Sequence, residues 1–174
     1  MHDGSDQLRL GLASGDESAF AALYDRLGAA MLRVALRILG DSAEAEDAVQ
    51  EVFVSLVRSR RRLADVDDLR AYVFASLRRT ACRMAGARRP QAAMTTDPVG
   101  AVGPGRAGDE EAAERLGKAM RALPDPQRAV IALRIDGELT FEQIGQALGV
   151  SPNTAASRYR YGLAKLRERL KAKP

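Results

Sequence analysis

Apolar residues recur at helical spacing along most of the chain, and strand-like alternation is nearly absent. Phe20, Leu23, Tyr24 and Leu27 start one stripe, and Met31, Val34, Ala35, Ile38 and Leu39 continue it. Residues 14–39 therefore predict a helical pair meeting near Gly28, opened by a Ser14-x-x-Glu17 capping box and closed at Gly40. Asp41 or Ser42 starts the next helix. Its apolar face is Ala45, Ala48, Val49, Val52, Phe53, Leu56 and Val57, while Asp47, Gln50, Glu51 and Val54 lie off that face. Asp67-Asp68 offers a fresh cap, and Leu69, Tyr72, Val73, Leu77, Ala81 and Met84 form the following stripe.

No stripe crosses residues 86–108, which hold five Gly and three Pro. Such a composition predicts a flexible linker, placed at 87–109, between units at 10–86 and 110–172. The second unit resumes with Leu116, Ala119, Met120 and Leu123. Asp125 then serves as cap with Pro126 at the first helical position, and Ala129, Val130, Ala132 and Leu133 follow. Asp136-Gly137 is a turn. Thr140 and Gln143 make a capping box, Gly149 ends a short helix, and Ser151-Pro152 starts another with Ala156, Tyr159, Leu163 and Leu166 packing inward. Helix, glycine turn and helix form a helix-turn-helix. Leu123, Leu133, Ile144 and Leu163 are the expected core of this half. The fold class is all-α: two small helical domains joined by a linker.

Composition supports helices and excludes some chemistry. The single His is at position 2 and the single Cys is Cys82, so no Cys/His or Ser/His/Asp cluster exists and no zinc spacing appears. Cys82 is expected to be a small, partly buried apolar residue. No catalytic group, cofactor or metal is implied, and the chain is not expected to be an enzyme. The first residues lack a charged leader with an apolar core, and no apolar run spans a membrane. A cytoplasmic protein without membrane insertion is expected.

Charge changes the picture more. The net value is only +4, but it is unevenly distributed. Residues 1–68 carry 8 basic and 13 acidic groups, and residues 91–150 carry 6 and 9. Residues 69–90 hold six Arg and no acid, while residues 151–174 hold seven Lys or Arg and one Glu. Like charges on one helix repel, by a few tenths of a kcal/mol per pair at about one turn's spacing. Binding phosphates offsets that cost through counterion release. Two basic segments on an otherwise acidic chain predict two contacts with a nucleic acid. In the helix-turn-helix the candidates are Asn153, Thr154, Ser157, Arg158, Arg160 and Lys165, which can reach base edges or phosphates in the major groove. In the earlier helix they are Arg70, Arg78, Arg79, Arg83 and Arg88.

Three stretches, AEDAVQEVFVSLVRSRRRL, LRAYVFASLRRTA and the segment from ALPDPQRAV to KLRERL, together resemble the extracytoplasmic-function (ECF) sigma factors of bacterial RNA polymerase. The resemblance covers nearly the whole chain. It implies that Asp47, Gln50, Glu51 and Phe53 dock on core RNA polymerase. It further implies that the helix of Arg70, Tyr72, Arg78, Arg79, Arg83 and Arg88 reads the downstream (−10) promoter element, where a base is flipped out. The helix from Pro152 then reads the upstream (−35) element. An anti-sigma protein is implied as a further partner. The chain departs from the family in carrying Tyr72 where a larger aromatic is usual, Arg79 and Arg83 in place of Asn and an acid, and Ala155-Ala156 in place of Val and Lys. A free-standing helix-turn-helix regulator is the alternative. It would account for the second basic segment and not the first.

Overall fold

The structure, a computed structural model, describes residues 3–87 and 107–171; side-chain surroundings are described for 6–87 and 111–171. The 87–109 linker expectation lies almost wholly outside the described residues. Among the described residues the fold is helical throughout. Four helices, α1 (Asp3–Ser14), α2 (Glu17–Leu39), α3 (Ser42–Arg58) and α4 (Leu69–Ala87), make the first half, with a short 3-10 segment at Arg60–Asp65. The second half is α5 (Ala107–Arg121), α6 (Asp125–Ile135), α7 (Phe141–Leu148) and α8 (Pro152–Lys171).

Several local expectations needed correction. Helix α1 begins well before residue 10 and buries Leu12. Its polar sequence hides a narrow apolar edge. Ser14 ends α1 rather than capping α2, because its hydroxyl bonds back to the Gly11 carbonyl at 2.8 Å. Asp16, in an extended conformation, is the true cap of α2. The Ser18 hydroxyl and then the Ser18 N–H hold the Asp16 carboxyl below its ordinary value. Residues 17–39 form one continuous helix through Gly28, not a pair. Pro124, not Asp125, precedes α6, so Pro126 is the second helical residue, and Asp125 pairs with Arg128.

Other boundaries match their residues. Asp41 caps α3 through the Glu44 N–H at 2.9 Å. Asp68 caps α4 through the Ala71 N–H at 2.9 Å. Thr140 and Gln143 make the reciprocal capping box of α7, Gly149 takes the left-handed conformation (φ 65°), and Ser151 caps α8 through the Thr154 N–H.

The core is shared between the halves. Val34, Val73, Phe74 and Leu77 of the first half and Val130, Leu133, Leu139 and Ile144 of the second belong to one buried cluster. Leu133 and Ile144, expected as an independent core of the second half, thus complete the core of the first. A smaller cluster of Ala119, Met120, Leu123, Ile131 and Leu166 ties α5, α6 and α8, with Leu163 half-buried at its rim. Helix α6 lies on α2, and α7 lies on α4.

Candidate nucleic-acid interface

Helix α8 presents its six candidates together. At 3.6 residues per turn, Asn153, Thr154, Ser157, Arg158, Arg160 and Lys165 fall within about half the helix circumference. Asn153, Arg160 and Lys165 are exposed, and Thr154, Ser157 and Arg158 are half-buried. The opposite side carries Ala155, Gly162 and Leu166, all buried. The inward residue is therefore Ala155, and Ala156 is only half-buried. Close approach fixes this helix. An added Cβ at Gly162 would meet Ile131 Cδ1 at 2.8 Å, and one at Gly145 would meet the Val150 carbonyl at 2.7 Å. Phe141 and Tyr159 stack edge-on with centroids 5.7 Å apart, bracing α7 on α8. Arg160 donates to the Ser157 hydroxyl at 3.4 Å. Among the described residues Arg158, Arg160 and Lys165 make no ion pair, so this basic face is uncompensated.

Helix α4 divides its candidates between two sides. Tyr72, Arg79 and Arg83, spaced by seven and four, share one face. Arg79 is exposed and donates to the Ser76 hydroxyl at 2.9 Å. Arg83 is exposed and pairs with Glu51 of α3. Tyr72 is half-buried against the core. Arg70 and Arg78 lie on another side, toward the second half. Arg70 donates to the Gly137 carbonyl through Nε at 3.0 Å and Nη2 at 2.5 Å, and lies 5.7 Å from the Phe74 ring centroid. Arg78 lines a cleft with Cys82, Asp125 and Arg128. Cys82 is exposed there, not partly buried. Arg88 lies outside the described residues.

On α3, Asp47, Gln50 and Glu51 form an exposed acidic and amide face. Phe53 sits beside that face, half-buried, its ring edge-on to Tyr24 with centroids 5.4 Å apart. Val54 and Val57, exposed on the same helix, add apolar surface next to it.

Residues read from the sequence only as turn and cap residues meet at the seam between the halves. Asp136 is buried and pairs with Arg37, with Arg33 Nε at 4.0 Å. Gln143 donates its amide to Asp68 at 2.7 Å. An Asp-Gly pair reads as a turn whatever it packs on, so no sequence signal marked Asp136.

Among the described residues no group of His, Cys, Asp or Glu is placed to hold a metal ion, and no helix is long and apolar enough to cross a membrane. Fold and surface together define a helix-turn-helix protein whose second helix, α8, carries an unpaired basic side and whose other half displays a second arginine face. The family models agree with both halves. Sigma-70 region 2 matches residues 23–90, and Sigma-70, region 4 matches residues 119–168. The ECF RNA polymerase sigma factor SigL of Mycobacterium tuberculosis is 31% identical over 162 residues, covering 90% of this chain and 92% of the relative. SigK of Mycobacterium bovis, also an ECF RNA polymerase sigma factor, is 29% identical over 175 residues, covering 93% and 91%. The chain belongs to the ECF RNA polymerase sigma factors. CnrH, in its structure with the cytosolic domain of CnrY, shares the fold, with a TM-score of 0.76 at 23% identity over 99% of this chain and 100% of CnrH.

Proposed function

We propose that this sigma factor binds core RNA polymerase and reads promoter DNA with two separate faces. The observation that carries the reading is the uncompensated basic arc of α8, whose opposite side is locked into the core. Asn153, Thr154, Ser157 and Arg158 then read base edges of the upstream element, while Arg160 and Lys165 hold phosphates. Tyr72, Arg79 and Arg83 read the downstream element. Arg70, Arg78 and Arg88 contribute to it once the halves part. Asp47, Gln50, Glu51 and Phe53 dock on the polymerase, and the apolar surface of Val54 and Val57 suits the edge of such an interface. Two functional units, at 10–86 and 110–172, suit two contacts on one DNA, since linked weak contacts gain through effective concentration.

The protein works in the cytoplasm, as an initiation factor and not by catalysing a reaction of its own. The free-standing regulator is disfavoured because the match to region 2 covers the half it leaves unexplained. An anti-sigma partner is supported by CnrH, which is known in complex with the cytosolic domain of CnrY. Gel filtration of the purified chain with core RNA polymerase tests the reading. Co-elution as one complex is expected, and separate elution of the two would reject it.

A further inference from the structure

Tyr161 leaves more of itself in water than any other large apolar side chain among the described residues, with 67% of its surface exposed. Among those residues no hydrogen bond or ring contact holds it. Tyr159, two places back, is the contrast: it is half-buried and edge-on to Phe141. One tyrosine braces α8 on α7, and the other braces nothing. A single exposed aromatic is common on protein surfaces, so its position has to decide whether it has a role.

Helix α8 turns about 100° per residue, which puts Tyr161 about 20° from Thr154, about 40° from Ser157 and about 40° from Lys165. It stands near the middle of the arc formed by the six upstream candidates. Arg160 is on one flank, and Arg158 and Lys165 are on the other. Along the axis it lies one turn beyond Ser157 and about 12 Å from Asn153. Glu168, exposed two turns further on nearly the same line, closes the arc, because phosphates repel a carboxylate.

The flanking cations suit the phosphates on the two walls of a groove, so the middle of the arc faces its floor. A recognition helix enters the major groove by its N-terminal turns. Asn153, Thr154 and Ser157 in those turns are short. By the third turn the axis has drawn away from the floor, and only a longer side chain reaches it. Tyr161 supplies that length with a flat, uncharged ring. The apolar group that a base edge presents in the major groove is the thymine C5 methyl, whereas an Arg or Lys at this place would favour guanine. Packing the ring on that methyl takes apolar surface of both out of water.

We propose that Tyr161 is a further specificity-determining residue of α8, whose ring packs on the C5 methyl of a thymine in the upstream element. This rests on the promoter-reading function above and adds a preferred base to it.

The test offers the full chain a library of random DNA duplexes and sequences those it retains. The parent should select an element with a fixed thymine. Tyr161→Ala should lose that preference, and Tyr161→Phe, which keeps the ring, should retain it. Fluorescence anisotropy on the selected duplex then compares thymine with uracil, which lacks only the methyl. The parent should bind the uracil duplex about fourfold more weakly, as expected for one methyl-sized group removed from water. Tyr161→Ala should bind the thymine duplex about tenfold more weakly than the parent and should not distinguish the two bases. Thermal melting checks folding, and the uracil comparison needs no variant, so it stands whatever Tyr161→Ala does to stability. A parent indifferent to the methyl at every selected thymine, or a Tyr161→Ala that keeps the preference, overturns the proposal. So does a Tyr161→Phe that loses it, which would assign the contact to the hydroxyl. A parent that retains no sequence above the others rejects upstream reading altogether. A parent that selects an element without a Tyr161-dependent thymine rejects this contact alone.

Discussion

Gly145→Ala is a sharp test of how the recognition helix is positioned. Gly145 is buried in α7, and its carbonyl accepts the Val150 N–H at 3.0 Å as the chain turns toward α8. An added Cβ would lie 2.7 Å from the Val150 carbonyl oxygen and 3.3 Å from the Pro152 nitrogen. Both neighbours are backbone, so no rotamer change relieves the clash and the turn itself must move. Overpacking costs about 1–3 kcal/mol, and a contact that displaces backbone belongs in the upper part of that range. Replacing Gly by Ala inside a helix returns about 1 kcal/mol. The net expectation is a loss of about 1–2 kcal/mol, with weaker binding to upstream-element DNA because α8 shifts. Gly162→Ala is the internal control. There the closest atom is Ile131 Cδ1 at 2.8 Å, the far end of a side chain and not backbone, so strain and helix gain should cancel to within about 0.5 kcal/mol. Urea unfolding followed by far-UV circular dichroism measures both variants. If Gly145→Ala matches or exceeds the parent, or if Gly162→Ala costs more than it does, backbone contact is not what sets the turn.

Other expectations follow from single contacts. Arg158→Ala should weaken binding to upstream-element DNA by about 1–3 kcal/mol by fluorescence anisotropy at fixed salt, and unchanged affinity would remove Arg158 from the readout. Thr140→Ala removes the hydroxyl that accepts the Gln143 N–H at 3.2 Å and should cost about 1 kcal/mol in urea unfolding; a loss near zero would mean the capping box adds nothing. Charge reversal at Asp47 and Glu51 should reduce complex formation with core polymerase while leaving upstream-element affinity intact. Loss of both would indicate a folding defect instead. The Glu51–Arg83 pair is exposed on both sides, so its loss should cost no more than about 1 kcal/mol of stability.

The helical stripes were legible because burial repeats with the helix. Helices α2, α3, α4 and α6–α8 follow from Leu23, Val52, Leu77, Leu133, Ile144 and Leu166 and their neighbours. Helix α1 was not, because among its described side chains only Leu12 is buried, which leaves too narrow a stripe. The basic arc of α8 could be read from the distribution of charge along the chain. The division within α4 could not. Arg70 and Arg79 carry the same charge on the same helix, and only the position of α6 and α7 turns one into the seam and leaves the other in solvent. Ala155 and Ala156 show the same limit at one residue's resolution, since either could pack inward until Gly162 and Leu166 fix the buried side. Asp136 was hidden more deeply, because an Asp before Gly satisfies a turn whether its carboxylate meets water or Arg37.

Transcription by a defined pair of components addresses the promoter-reading claim most directly. Core RNA polymerase is incubated with and without the purified chain on a library of promoter fragments, and transcripts are mapped to their start sites. The account predicts discrete starts that require the chain, share two conserved elements upstream, and lose upstream-element dependence with Arg158→Ala. Transcripts that are the same with and without the chain, or no transcript at all despite an active core enzyme, would contradict it.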